Sequence, residues 1–366
     1  MRTLHAWVGI TLALLLIVVS ASGSLLLWKQ DYLRLTIPEA RMSFEPTPEN
    51  LARIAERVEA EFESQDLMAF YFPTETFSLA TLAIYPDTYV YLDVEGKVVD
   101  QWQGNSRAEE WLFDLHHRLL LADTGLQIVG FGAMALFILM LSGVVVWWPT
   151  RRAFRMRLWP AGSNRQQALG SHRNLGIVLA LPFTLVLGSG IILVFPQQAE
   201  ELLLSEHRAS QEYSDKMTEG LDGIHGGDSG DWLPSFQRAL AVFPDARIRS
   251  VQGSGLFSAY RVIGLQQQGE WNPLGMSKVY IDGAEGYMDI RMDSQGFPAI
   301  ERAYNAVYPL HTGRVDALWY KCLLTVVGLG LTLMGSMGML AFIRRYYRGG
   351  ARGSGCGSAR GRAPAG

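Results

Sequence analysis

Imidazole is the side chain with the most chemistry to offer in this sequence, and five of the seven histidines stand at the margins of long apolar stretches. His5 and His172 each open such a stretch, while His116, His117 and His311 each precede one. Ionisable groups at membrane depth are costly and are usually kept with a partner. Two imidazoles from facing helices at equal depth can hold a metal ion, or both axial positions of a haem iron. The plainer alternative is a set of interfacial residues, each with its polar tip in water.

The elements that would have to position them are four apolar runs at 4–28, 124–148, 175–195 and 323–343. Each has 21 to 25 residues and no Asp, Glu, Lys or Arg, long enough to cross a bilayer core at helical rise. The chain of 366 residues is 49% hydrophobic and 18% charged, against roughly 25% charged in a soluble domain. A cytosolic enzyme, a secreted protein and a nucleic-acid binder are excluded on that ground. The net charge of −3 is less telling than its distribution. Arg2, the loop 149–173 and the tail after Ile343 carry thirteen arginines and no acidic residue, whereas all 35 Asp and Glu lie within 29–123 and 197–318. Short basic loops stay in the cytoplasm, so both termini are expected inside and the two long acidic segments outside. Met1-Arg2 and the apolar run after it resemble a signal peptide, but the run continues to Trp28 and is expected to remain as a membrane helix. Cys322 and Cys356 fall on opposite sides of the fourth run, which leaves no disulfide framework.

This topology sorts the histidines into an inner pair, His5 with His172, and an outer pair, His116 or His117 with His311. An internal repeat supports the sorting. His5, Gly9, Ile10, Leu12, Ala13 and Leu14 recur as His172, Gly176, Ile177, Leu179, Ala180 and Leu181 at a constant offset of 167, which also carries Ser22-Gly23 onto Ser189-Gly190. Gly143 follows His116 by 27 residues, as Gly338 follows His311, and this favours His116 over His117. Between the membrane runs, 48–64 and 232–243 have helical periodicity. The stretches 88–94, 97–102, 246–252, 258–265 and 278–282 read as strands. The hairpin 91–96 resembles 280–286 with one residue inserted.

The fold class expected is therefore an α-helical membrane protein of four transmembrane helices in two duplicated halves, with two small α+β extracytoplasmic domains. The membrane helices span 1–28, 121–148, 173–196 and 317–345. The outer domains span 29–120 and 197–316, the basic cytoplasmic loop 149–172, and a disordered tail 346–366.

A haem needs a flat slot as well as ligands. Gly9 and Gly176 lie one turn beyond His5 and His172 on the same helix faces, where a missing side chain leaves room for a porphyrin edge; close helix packing is the alternative use of such glycines. Arg118, Arg173 and Arg314 are placed to pair with propionates. Two histidines per site leave a tetrahedral zinc two ligands short.

Leu4-His5-x-Trp7-x-Gly9, Leu115-His116-His117, Trp147-Trp148-Pro149, Ser171-His172-Arg173-x-x-Gly176 and Tyr308-Pro309-Leu310-His311-Thr312-Gly313-Arg314 together resemble the PepSY-associated transmembrane family. The resemblance covers the chain from Met1 to Arg345 and departs from the common pattern at Ser171, where Leu is frequent. It implies two PepSY-like outer domains, two b-type haems bound through His5, His116, His172 and His311, location in a bacterial inner membrane, and reduction of ferric siderophores on the periplasmic side. On this reading electrons pass from the inner haem to the outer one and then to the ferric chelate; Fe(II) is held less tightly by hard oxygen ligands, so iron is released. No glycine-rich dinucleotide motif is present, so the electron donor is expected to be a quinol or a separate reductase. A haem-free, membrane-anchored PepSY binding or regulatory protein is the alternative. A divalent-metal permease is weakened by the lack of acidic residues in any membrane run.

Overall fold

The computed structural model describes residues 1–353 apart from 63, 155, 157, 158, 160, 161, 163, 205–230, 253–259, 283–290 and 316. The part of the second hairpin at 283–286 and the tail from 354 on therefore lie outside the described residues. The first half contains α1 (Arg2–Leu26), α2 (Lys29–Thr36), α3 (Pro48–Phe62), β1 (Leu67–Tyr71), β2 (Ala80–Ile84), β3 (Thr88–Leu92), β4 (Val98–Gln103), α4 (Ala108–Arg118) and α5 (Ala122–Trp147). The second half contains α6 (Arg165–Val178), α7 (Ala180–Val194), α8 (Pro196–Leu204), α9 (Trp232–Val242), β5 (Arg247–Gln252), β6 (Tyr260–Gln266), β7 (Ser277–Asp282), β8 (Arg291–Met292), α10 (Ala299–Thr312) and α11 (Leu318–Gly353). These elements form two compact units.

The first unit comprises Met1–Ser24, Leu115–Ile191 and the chain from Leu323 on. Among the described residues three single helical stretches are long and apolar enough to cross a membrane, Arg2–Leu26, Ala122–Arg152 and Leu318–Arg345. The third apolar run departs from the single straight helix expected over 173–196. It forms the pair α6 and α7, bent by 67° at a break on Leu179. Pro182 explains the break: it offers no N–H to the carbonyl of Val178, four residues earlier, and its ring would clash with that carbonyl. The first helix of the pair starts at Arg165, inside the expected loop, where the Asn164 side chain accepts from the Gln167 N–H at 2.9 Å as an N-cap. At the other end of the chain α11 runs on to Gly353, past the expected boundary at 345 and through Gly349 and Gly350. Leu16, Leu136, Leu175, Leu179, Phe183, Leu187, Val327, Leu331 and Met334 form the core of this unit.

The second unit comprises Leu25–Asp114 and Ile192–Cys322. The outer segments, expected as two separate small domains, form one sheet of eight strands in the order β4-β3-β2-β1-β5-β6-β7-β8. Each half contributes a four-stranded antiparallel meander. The two meanders meet where β1 pairs antiparallel with β5, Phe70 opposite Val251 and Tyr71 opposite Ser250. An edge strand left alone would present a row of unpaired N–H and C=O groups, and this pairing satisfies both edges at once. Leu51, Ile54 and Val58 of α3 and Trp232, Phe236 and Ala239 of α9 pack on one face of the sheet in a single continuous core. Burial of each large apolar side chain contributes roughly 1.5–3 kcal/mol, and this shared core binds the halves more firmly than the three-residue β1–β5 ladder. On the opposite face Tyr91 and Trp102 pack against Leu33 and Ile37, at and just beyond the end of α2.

Candidate functional site

In the first unit the inner pair of histidines is brought together. The imidazoles of His5 on α1 and His172 on α6 lie edge to face, with ring centroids 6.3 Å apart and planes at 66°. The Nδ1 of His172 is 3.0 Å from the Met334 carbonyl oxygen on α11. A carbonyl only accepts, so Nδ1 carries the proton and the ring's lone pair is on Nε2. For His5 the same result comes through a relay. The Ser142 hydroxyl donates to the Leu139 carbonyl at 2.7 Å, and its oxygen is 2.8 Å from His5 Nδ1. With its proton committed, the hydroxyl accepts from Nδ1–H, which again leaves the lone pair on Nε2.

His116 lies near the end of α4. Its Nδ1 is 2.9 Å from the Val19 carbonyl on α1 and 3.3 Å from the Ser22 hydroxyl, and that hydroxyl donates to the Val18 carbonyl at 2.7 Å. The chain then reverses sharply into α5 through Leu119, Leu120 and Ala122, all with positive φ at 52°, 60° and 49°. Left-handed backbone at non-glycine residues is strained. Gly125 closes the turn, because a Cβ there would lie 1.5 Å from the Arg118 carbonyl oxygen. His117, the sequence alternative to His116, is the next residue of α4.

His311 lies near the end of α10 and belongs to the second unit. Gly313 stops that helix in the left-handed conformation, φ 67°. Arg314 follows, exposed, with its guanidinium 5.8 Å over the Tyr308 ring. Burial, then the neighbouring Tyr308, pushes the Tyr71 hydroxyl above its ordinary range, and Arg314 offsets part of that rise. Arg118 and Arg173 are exposed. A Cβ at Gly9 would meet Leu139 at 3.8 Å and one at Gly176 would meet the Met334 sulfur at 3.5 Å, both ordinary contacts with a neighbouring helix.

The residues that touch the imidazoles are other glycines. A Cβ at Gly143 would lie 3.2 Å from His5 Cε1, one at Gly338 2.9 Å from His172 Nδ1, and one at Gly23 2.7 Å from His116 Cε1. Sequence reasoning noted these glycines only as repeat markers. The signal that could have found their role is their depth, equal to that of a histidine on another helix. Ser142 was missed altogether.

A histidine pair carried on long apolar helices, in a chain whose two intervening segments form one antiparallel sheet, defines an α-helical membrane protein with a second, sheet-containing unit. Comparison with known families gives the narrower statement. The family model for the PepSY-associated TM region matches residues 2–345, and the chain belongs to that family. No curated protein matches it.

Proposed function

We propose that the protein is an inner-membrane electron conduit of four spans in two duplicated halves. It would hold two b-type haems and reduce a ferric siderophore on the periplasmic side, with both termini in the cytoplasm. The observation that carries the proposal is the His5–His172 pair: 6.3 Å between ring centroids, each Nδ1 committed to a neighbouring helix. Rings at this separation leave room for one ion held by a nitrogen of each at metal–nitrogen bonds of about 2 Å. The glycines beside the rings give the imidazoles room to reach these positions, and the paired, Nδ1-anchored donors suit a bis-histidine haem.

In this role His5 and His172 hold the inner group through Nε2. On the strength of the sequence repeat, His116 and His311 hold the outer one, and the Val19 bond favours His116 over His117 as the outer ligand. A haem held by two imidazoles would supply electron exchange rather than oxygen binding. Arg118, Arg173 and Arg314 remain the candidates for propionate pairing. The donor would be a quinol or a separate reductase, because the chain has no glycine-rich dinucleotide motif.

The test is the optical spectrum and haem count of the protein purified from haem-replete cells. A red preparation with a low-spin b-type spectrum and about two haems per chain is expected. A colourless preparation would overturn the conduit and leave a haem-free, membrane-anchored binding protein.

A further inference from the structure

Three of the four histidines of the helical unit, His5, His116 and His172, share one arrangement. His116 bonds the carbonyl of Val19 and its ring lies against Gly23; His172 bonds the carbonyl of Met334 and lies against Gly338. In each case the glycine is four residues after the carbonyl, on the same helix. His5 repeats the spacing with a hydroxyl interposed: its ring lies against Gly143, and the relay through Ser142 ends on the carbonyl of Leu139.

The geometry of the α-helix explains the spacing. A carbonyl at position i bonds the N–H at i+4 and keeps a second lone pair facing outward. Helical side chains lean toward the N-terminus, so the side chain at i+4 covers that lone pair. Glycine at i+4 bares it and lets an imidazole from another helix come close enough to donate. The Cβ positions at 2.7–3.2 Å from ring atoms mean that alanine at any of the three sites would press on the ring that makes the bond.

We propose that Gly23, Gly143 and Gly338, with Ser142, are positioning residues. They form notches that fix each imidazole in the Nδ1–H tautomer, with Nε2 presented for ligation. The inference rests on the bis-histidine haem reading and adds to it an asymmetry between the two inner ligands. His172 donates directly to a carbonyl, whereas His5 donates to a hydroxyl that can be removed without touching the backbone. A hydrogen bond to the second nitrogen raises the basicity of a ligating imidazole and fixes its orientation, and loss of such an outer-shell partner costs about 10–100-fold in affinity or activity.

The experiment compares the full-length protein with Ser142→Ala, Gly143→Ala, Gly338→Ala and Ser142→Thr, by redox titration and low-temperature EPR of each haem centre. Gly170→Ala, on α6 with nothing within 4 Å of the added methyl, is the control. Ser142→Ala, Gly143→Ala and Gly338→Ala are each expected to lower inner-haem occupancy about tenfold. Failing that, each should shift the inner Fe(III)/Fe(II) equilibrium at least tenfold, about 59 mV for one electron, with the outer centre unmoved. Ser142→Thr, which keeps a hydroxyl, should restore the wild-type midpoint. Unchanged occupancy, g-values and midpoint in all three variants, with haem present in the wild type, would overturn the notch and leave the conduit standing. A wild type without haem would overturn the conduit itself. Histidine 15N spectra of the apoprotein check the tautomer independently: Nδ1–H signals support the notch, and Nε2–H signals at these three residues count against it.

Discussion

The imidazoles of His5 and His172, on α1 and α6, meet edge to face at 6.3 Å, and each is tied through Nδ1 to a different third helix, α5 for His5 and α11 for His172. Four separate chain segments therefore converge on two rings. Orientation of this kind comes from the bundle as a whole, because neither histidine has its anchor on its own helix.

His172→Ala is expected to remove the inner haem alone, so that haem per chain falls from about two to about one and the remaining spectrum is that of the outer centre. Pyridine haemochrome assay with EPR checks this. Retention of both haems would show that His172 is not a ligand.

The α4–α5 turn gives two substitutions of opposite sign. Gly125→Ala sets a methyl 1.5 Å from the Arg118 carbonyl oxygen, so the backbone itself has to move; a loss of about 3 kcal/mol is expected. Leu120→Gly relieves a left-handed residue, φ 60°, and should stabilise by about 1 kcal/mol. Thermal unfolding in detergent measures both, and equal midpoints for the two variants would contradict the geometry.

Lys278 of β7 sits between Gly264 of β6 and Met292 of β8, and burial pushes its ammonium below the usual lysine range. Between its folded pKa and the unfolded value of about 10.4 the unfolded chain holds the extra proton. Stability from this group therefore rises with pH and is lost as pH falls through the folded pKa. Lys278→Met should flatten that slope and raise the unfolding midpoint at pH 7 by roughly 2–4 °C. An unchanged slope between pH 7 and pH 10 would refute the assignment.

The proposed orientation can be read from two cysteines. Cys322 is exposed at the start of the last apolar run; a membrane-impermeant maleimide added to intact spheroplasts is expected to label it. Cys356, in the arginine-rich tail, should react only after permeabilisation. The reverse pattern would invert the topology.

Much of the secondary structure is legible in the sequence for simple reasons. Apolar runs free of charge mark the membrane segments, and helical periodicity marks α3 and α9 at 48–62 and 232–242. Alternation with turn residues marks β3 to β7 to within about two residues, the ordinary uncertainty of element ends. The short amphipathic helices α2, α4, α8 and α10 were not recognised, because each adjoins a membrane run whose stronger apolar signal hides a short stripe. The break at Leu179 follows from a single proline inside a run whose hydropathy is uninterrupted.

The amino-acid order by itself determined which residues could reach the membrane margins, the repeat that relates them, and the family to which the chain belongs. Tertiary structure decided what no local pattern encodes. It joined the two outer segments through β1 and β5 into one sheet with one core, and it set His5 against Gly143 and His172 against Gly338 from residues more than a hundred positions apart. The physical reason is that a strand edge and a bared helix carbonyl are both unsatisfied hydrogen-bonding groups. Their partners are fixed only when distant segments pack together.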